Sequence, residues 1–177
     1  VEMSEKELKN SIESSEKMLD RLLSELDDAT KTLSQLEERK RNLELLRNNS
    51  LEVGDLGSAR DKFVRAGLIS SESTPRLDKY FSSLKFLPYK ITPVSSSDNF
   101  IVLMGISDIE EWVLNILNLF NFREFTFPQG TPKENDEALR EVDGKLREIN
   151  SEIEILGEEK NKLKREFIEK LSTVGLS

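Results

Sequence analysis

The sequence predicts an α+β protein in which two long terminal helices pair as an antiparallel coiled coil and the residues between them form a small sheet lobe. Two observations lead to this prediction. Apolar residues recur at alternating steps of three and four near both ends of the 177-residue chain, and the middle consists of short apolar runs bounded by glycine, proline and serine. A narrow apolar stripe cannot be buried by one helix alone, so the two ends are expected to meet, with the middle as the tip of the hairpin.

The first arm, residues 1–50, carries its apolar seam at twelve positions, of which nine are apolar. These positions are Leu8, Ile12, Ser15, Leu19, Leu22, Leu26, Ala29, Leu33, Leu36, Lys40, Leu43 and Arg47. Charged and polar residues fill most of the positions between them. Such a sustained heptad pattern with charged flanks is typical of a coiled coil with a left-handed supercoil.

The second arm, residues 131–177, repeats the pattern at eleven positions, of which nine are apolar. These are Leu139, Val142, Leu146, Ile149, Ile153, Leu156, Lys160, Leu163, Phe167, Lys170 and Val174. If both arms leave the tip together, facing residues have numbers that add up to about 182, as antiparallel pairing requires. Ser15 then faces Phe167 and Ala29 faces Ile153, so that a small residue meets a large one. Lys170 is expected to lie along the seam with its ammonium group in water.

The middle segment, residues 51–130, begins with glycines that are expected to end the first helix or to mark a turn after it. Residues 61–66 are interpreted as a short helical turn, and Leu68-Ile69 as a brief strand. Thr74-Pro75 is typical of an N-cap followed by proline in the first helical turn. Tyr80, Phe81 and Phe86, in and just after this helix, are expected in the core.

Two strands and a second helix are predicted next. Residues 89–94 alternate like a strand, and residues 100–104 form a continuous apolar run that predicts a central strand. Ser107-Asp-Ile-Glu110 matches a capping box that opens a helix. Residues 122–127 are the last predicted strand, and Thr131-Pro-Lys-Glu134 predicts the start of the second arm. The order β-α-β-β-α-β predicts a ferredoxin-like lobe.

The composition argues against several classes of function. The chain has no histidine, no cysteine and no phosphate-binding glycine loop, so we expect no catalytic, cofactor-binding or metal-binding residues. Its net charge of −8 is spread over all three segments, which makes nucleic acid and anionic membranes poor partners. No apolar run is long enough to span a membrane. Because both termini fall at the open end of the predicted hairpin, the chain is expected to be a piece of a longer protein.

Three residues are candidates for partner binding. Trp112 falls one position off the apolar face of its helix, so it is either packed at the edge of the core or a docking anchor. The sheet face opposite the two lobe helices is expected to be open to a partner. Lys90 and Thr126 are predicted to lie on that open face.

The segment Phe122-Arg-Glu-Phe-Thr-Phe-Pro-Gln-Gly-Thr-Pro-Lys-Glu134, leading into a heptad helix, resembles the cytoplasmic N-terminal region of subunit I of archaeal and bacterial A/V-type rotary ATPases, the homologue of V-ATPase subunit a. Ala66-Gly67-Leu68-Ile69 and the stretch from Trp112 to Phe122 resemble the same family. The resemblance covers residues from about 45 to about 160. The chain departs from the family pattern in having a single residue, Gln129, between Pro128 and Gly130.

The resemblance implies a non-catalytic stator part of a proton-translocating ATPase or ATP synthase, at the cytoplasmic face of the cell membrane. In that family a rod with a lobe at each end links the membrane-embedded half of subunit I to the peripheral stalks. The implied partners are the peripheral-stalk subunits of E and G/H type and the central-stalk collar subunit. The family's proton pathway lies in the membrane half, so no residue of this chain inherits that role.

A second interpretation remains open on the sequence alone. A coiled-coil spacer with a hinge or dimerisation lobe, as in chromosome-organising or scaffolding proteins, has the same arrangement of arms and tip. Such a hinge is expected to self-associate and often carries basic grooves, whereas this lobe is acidic.

Overall fold

The computed structural model describes residues 4–175, with side chains described through residue 173. It confirms an α+β protein with one long helix near each end and an antiparallel sheet between them. The elements in chain order are α1 (Glu5–Asn48), β1 (Gly57–Ala59), β2 (Lys62–Ser70), α2 (Thr74–Ser82), β3 (Tyr89–Pro93), β4 (Asp98–Ile106), α3 (Glu110–Leu119), β5 (Arg123–Glu124) and α4 (Asn135–Gly175). Single 3-10 turns occupy Val53–Asp55 and Ser107–Ile109.

By its internal contacts the chain divides into two compact units. One consists of Val1–Glu38 and Val142–Ser177, and the other of Arg39–Glu141. The last turns of α1 and the first turns of α4 therefore belong to the same unit as the sheet.

In the first unit, α1 and α4 bury the seam that the heptad pattern predicts. The buried cluster and the apolar residues packed on it are all predicted seam positions: Leu22, Leu26, Ala29, Leu33, Leu36, Leu146, Ile149, Ile153 and Leu156. Ser15 is also buried, and its hydroxyl oxygen accepts a hydrogen bond of 3.0 Å from the Lys170 ammonium group. Lys170 is partly exposed, and this hydrogen bond uses one of the three donors of its ammonium group. The side chain of Val174 lies outside the described residues.

In the second unit, the sheet runs in the order β1-β2-β4-β3, and β5 pairs with β2 on the same edge as β1. All of its strand pairs are antiparallel. The central pair is long, because all nine residues of β2 face residues of β4, from Lys62 opposite Ile106 to Ser70 opposite Asp98. The prediction of a helical turn at residues 61–66 is wrong, because most of these residues belong to strand β2. Phe63 and Ala66 point to opposite faces of the sheet and lie in different cores.

One face of the sheet packs against α2 and α3. This helix-side core comprises Phe63, Ile69, Leu77, Phe81, Leu87, Ile101, Leu103, Val113, Ile116 and Leu117. Phe81 is fully buried, as predicted. Tyr80 and Phe86 are exposed instead, because only one face of the short helix α2 and one side of the turn after it reach the sheet.

The opposite face of the sheet is partly covered by the same chain. Leu45 and Leu46 from the end of α1 pack with Ala66 and Phe100, together with Leu51, Val53, Leu56, Phe125 and Phe127 from the flanking loops. We call this set the second core. The helix α1 ends at this point without glycine. Ser50 has a φ of 58°, and the amide of Leu51 donates to the carbonyl oxygen of Leu46 at 2.9 Å, which closes the helix as glycine usually does.

Two predicted helix starts differ in detail from the structure. Helix α2 includes Thr74, whose hydroxyl donates to the carbonyl of Ser70, and Pro75 stands in the first turn as predicted. The Ser107 hydroxyl donates to the carbonyl of Arg60, so the predicted capping box does not form. In each case a nearby carbonyl accepts the hydroxyl hydrogen, which leaves the helix without that cap.

The last strand and the last helix are also shorter than predicted. β5 covers only Arg123–Glu124, although the amide of Phe125 still donates to the carbonyl of Ala66 at 2.8 Å. The side chains of Phe125 and Phe127 lie in the second core. Helix α4 begins at Asn135 rather than at Thr131. Asn135 is buried, and its side chain holds the loop that follows α1. Its side chain accepts from the amide of Val53 at 3.1 Å and donates to the carbonyl of Leu51.

Candidate partner-binding surface

Two kinds of feature are absent from the part of the chain that the structure describes. Among residues 4–175 there is no group of three or more acidic, histidine or cysteine side chains that could hold a metal ion. Within the same residues, none of the helices combines the length and the apolar character that a membrane crossing demands.

The three predicted partner-binding residues do not form one surface. Trp112 lies on α3, on the helix side of the sheet. Lys90 is exposed on the edge strand β3, opposite Val102 of the second core, and so lies on the other face. Thr126 is exposed between two phenylalanines that fill the second core. Trp112 thus belongs to a different side of the lobe from Lys90.

Trp112 forms part of a small aromatic pair. Its side chain is 40% exposed, and its ring centroid lies 6.4 Å from that of Tyr80, which is 46% exposed. The ring of Tyr80 in turn meets the edge of the buried Phe81 at 6.1 Å. Trp112 therefore packs on Tyr80 and keeps a large exposed face, and its role as a docking anchor stays a prediction.

The expectation of an open sheet face needs correction. The second core covers this face at Ala66 and Phe100, so that half of it is unavailable to a partner. Exposure then increases along β4. Phe100 is fully buried, Met104 is 51% exposed and Ile106 is 55% exposed, although all three point to the same face. Only the half of the face beyond Val102 is open.

We call this half the open sheet surface. It comprises Gly57, Ala59, Lys62, Val64, Lys90, Met104 and Ile106, which the strand registers bring to one face. Met104 stands directly opposite Val64, and Ile106 directly opposite Lys62. Gly57 and Ala59 extend the surface across β1, where it is almost flat because glycine has no side chain and alanine has only a methyl group. The predicted face of Lys90 agrees with the strand register, while its role in binding stays a prediction. Met104 and Ile106 were not predicted on this surface, because the run from Phe100 to Met104 has the appearance of a strand that is buried on both faces.

On the helix side, an ion-pair network joins three elements. The Arg65 guanidinium on β2 contacts Glu110 at 2.5 Å and Glu124 at 3.2 Å, and it donates to the hydroxyl oxygen of Ser58 at 3.1 Å. Hydrogen bonds from Ser58 and from Arg65 lower the pKa of Glu110 below its ordinary value. The hydrogen bond to Glu110 likewise raises the pKa of Arg65. Among the described residues, the buried Nε of Arg65 lacks a hydrogen-bond partner, whereas both terminal nitrogens of the guanidinium bind carboxylates within the lobe. The network therefore fastens α3 and β5 to β2.

A shallow groove between α2 and β3 is likewise bridged by a hydrogen bond within the lobe. It is lined by Thr74, Asp78, Tyr89, Ile91 and Asn99, among others. The Tyr89 hydroxyl donates to the Asp78 carboxylate at 2.6 Å. Burial, with that hydrogen bond, raises the pKa of Tyr89 to about 12. Tyr89 therefore remains a protonated donor at neutral pH and ties the helix to the edge strand.

Comparison with known proteins gives matches among solved structures. No protein-family model and no curated protein matches this chain. Among solved structures, the chain is similar to the cytoplasmic N-terminal domain of subunit I, homologue of subunit a, of V-ATPase. The two are 18% identical with a TM-score of 0.47, and the match covers 90% of this chain. This chain spans 55% of the length of that domain. The neighbour is of the family that the segment from Phe122 to Glu134 resembles.

Proposed function

We propose that this chain is a non-catalytic part of the stator of a proton-translocating A/V-type ATPase or ATP synthase. In this role it links the membrane-embedded half of a subunit I to the peripheral stalks, on the cytoplasmic face of the cell membrane. The proposal rests on the resemblance of the segment from Phe122 to Glu134 to that family. The position of this segment, between the last strand of the sheet and the long helix α4, supports the proposal because the family has the same order of elements.

We further propose that the lobe is ferredoxin-like. With β1 set aside, the remaining strands lie in the order β5-β2-β4-β3. Helices α2 and α3 both contribute to the helix-side core, which supports two helices on one face of a four-stranded sheet. The division into a first arm of residues 1–50, a lobe of residues 51–130 and a second arm of residues 131–177 belongs to the same proposal.

A stator part has to resist torque, so it needs elements that do not unfold locally under load. The seam between α1 and α4 supports this role, since Ala29, Leu36, Ile149 and Leu156 are all at least nine-tenths buried. In the lobe, the sheet has a core on each of its faces. Where apolar contacts are buried in this way, the free energy of local opening approaches that of global unfolding.

The proposed partners are the peripheral-stalk subunits of E and G/H type, with the central-stalk collar subunit as a further contact. The test is co-purification of this chain with the stalk heterodimer from the same organism, followed by sedimentation analysis. We expect a stable complex of one chain with one heterodimer. If the chain bound no stalk subunit and formed homodimers instead, the stator proposal would be wrong and the hinge interpretation favoured.

A further inference from the structure

We infer that the open sheet surface is a docking site for an apolar segment flanked by carboxylates, contributed by the stalk partner. This inference rests on the proposed function, because it names the face of the lobe that the partner would use. Three observations carry it. The apolar residues of the surface are contiguous, the charged residues beside them have one sign, and the second core, which covers the rest of this face, does not extend over them.

The apolar strip is contiguous rather than a set of scattered residues. Met104 and Val64 are directly opposed across two neighbouring strands, and Ile106 is the next residue of β4 on the same face. Cross-strand neighbours of this kind touch, so the side chains form one patch. Single exposed apolar residues are ordinary, whereas a contiguous apolar patch marks an interaction surface.

The cover of this face ends where the patch begins. Leu45, Leu46 and Phe125 pack over Ala66 and Phe100 in the second core. Met104 and Ile106, farther along the same strand, are each more than half exposed when the whole chain is considered. The patch is therefore continuous with an apolar core that a docking segment would extend, and the pleated strands already present its side chains in fixed positions.

The charged residues beside the patch indicate which charge a partner segment should carry. Its two charged residues, Lys62 and Lys90, are both basic and both exposed, in a chain whose net charge is −8. Asp61, the nearest acidic residue along the chain, lies in the turn between β1 and β2 and outside the ladder. A partner segment with carboxylates on both sides of an apolar stripe would complement this arrangement, which speeds association and fixes its direction.

The same charges argue against a second copy of this chain on the surface. A twofold dimer brings identical patches together. Lys62 and Lys90 of both copies, four lysines in all, would then lie in one interface, and two chains of net charge −8 would be brought together. Like charges in direct opposition destabilise such pairing.

The first experiment measures binding of the purified stalk heterodimer to the whole chain and to surface variants. We expect Met104→Glu and Lys90→Glu each to weaken binding at least tenfold. The matched controls are Leu119→Glu on α3, where Leu119 is 80% exposed, and Lys79→Glu on α2, and both are expected to bind as the unmodified chain does. Circular dichroism establishes that every variant is folded.

The outcomes separate this inference from the proposed function. If the unmodified chain binds the stalk and the Met104 and Lys90 variants bind equally well, the docking surface lies elsewhere and only this inference is overturned. If the unmodified chain binds no stalk, the proposed function is overturned, and the docking inference falls with it. A dimer of this chain that Met104→Glu dissociates would replace the partner with a second copy.

A second experiment tests the chemistry of the surface without the stalk. Two designed helical peptides of about twenty residues share one leucine stripe and differ only in flanking glutamates or lysines. Titrated into ¹⁵N-labelled protein, the glutamate peptide is expected to shift the amide signals of Val64, Met104 and Ile106, and to bind at least tenfold more tightly than the lysine peptide. Equal binding of both peptides, or shifts confined to other residues, would overturn the inference.

Discussion

Arg65, Glu110, Glu124 and Ser58 show how single residues fasten the lobe. The side chains of Arg65, Glu110 and Glu124 are 22%, 18% and 27% exposed, so their ion pairs are screened less than surface pairs are. Glu110 also begins α3, where a carboxylate stabilises the partial positive charge of the helix start. The sequence contained these residues, but their separation along the chain gave no sign that they meet.

Glu110→Gln is expected to lower the free energy of unfolding by about 1–2 kcal/mol at pH 7, because it removes a charge-assisted pair that is mostly buried. Since the folded-state pKa of Glu110 is lowered, its ionised form adds stability above the ordinary glutamate pKa of about 4.3, and this is lost as the pH falls through the folded-state value. Urea unfolding between pH 7 and pH 2 would check this. Glu111→Gln is the control, because Glu111 is exposed in the same helical turn. A difference from the unmodified protein that stayed constant down to pH 2 would contradict the assignment.

Asn135 is the second residue whose role depends on partners far along the chain. Asn135→Ala is expected to destabilise the lobe by about 2–3 kcal/mol, because it leaves the amide of Val53 and the carbonyl of Leu51 without a partner in a buried place. Thermal unfolding measures the change. Asn150→Ala, at an exposed position of the same helix, is expected to be nearly neutral. Equal effects of the two substitutions would show that Asn135 does not hold the loop that follows α1.

At the scale of elements, two glycines make opposite contributions. Gly157 lies within α4, and a methyl group added there would meet no atom within 4 Å. Gly67 lies in β2, where the same methyl group would stand 2.3 Å from the carbonyl oxygen of Arg123. The first glycine weakens a helix without a packing reason in the described structure. The second allows β5 to approach β2 closely.

Gly157→Ala is therefore expected to stabilise the protein by about 0.5–1 kcal/mol, because alanine restricts the unfolded chain and favours helix. Gly67→Ala is expected to destabilise it by about 2 kcal/mol or more, because the backbone of β5 would have to shift. Chemical denaturation of both variants gives a matched comparison. A loss of stability in Gly157→Ala would mean that α4 needs flexibility or a close neighbour at this position.

The pairing of the two arms can be tested directly. Leu26 and Leu156 belong to one apolar cluster between α1 and α4. Cysteines introduced at both positions are expected to form a disulfide under mild oxidation, since the chain has no other cysteine. Gel mobility with and without reductant measures the crosslink. Cysteines at positions 26 and 142 serve as the control, and preferential crosslinking of that pair would contradict the register.

At the scale of the whole molecule, each compact unit contains buried apolar residues of its own. Every residue of the helix-side core and of the second core lies within residues 39–141. A segment with its own apolar core on both faces of a sheet has what independent folding requires. The seam residues of α1 and α4 form a separate cluster in the other unit.

A fragment of residues 39–141 is accordingly expected to fold alone, with a single cooperative thermal transition and dispersed amide signals. The comparison is the same fragment with Phe100→Asp, which places an unpaired charge in the second core and is expected to abolish the transition. If the unmodified fragment were unfolded, the lobe would depend on the coiled-coil unit for its stability.

Periodicity and local turn chemistry were sufficient to predict the two arms, their buried seam and most of the order of strands and helices in the middle. They missed the short strand β1 and gave a helical turn at residues 61–66, where β2 runs. Heptad spacing and alternation are local properties that act through neighbours a few residues apart. The exact starts of α3 and α4, the length of β2 and the early end of β5 were decided by partners up to 84 residues away, as with Asn135 and Leu51. Only the tertiary structure could decide which half of the sheet remains open, because the cover comes from the end of α1 and from Phe125, which lie far apart in sequence and meet on one face to exclude water.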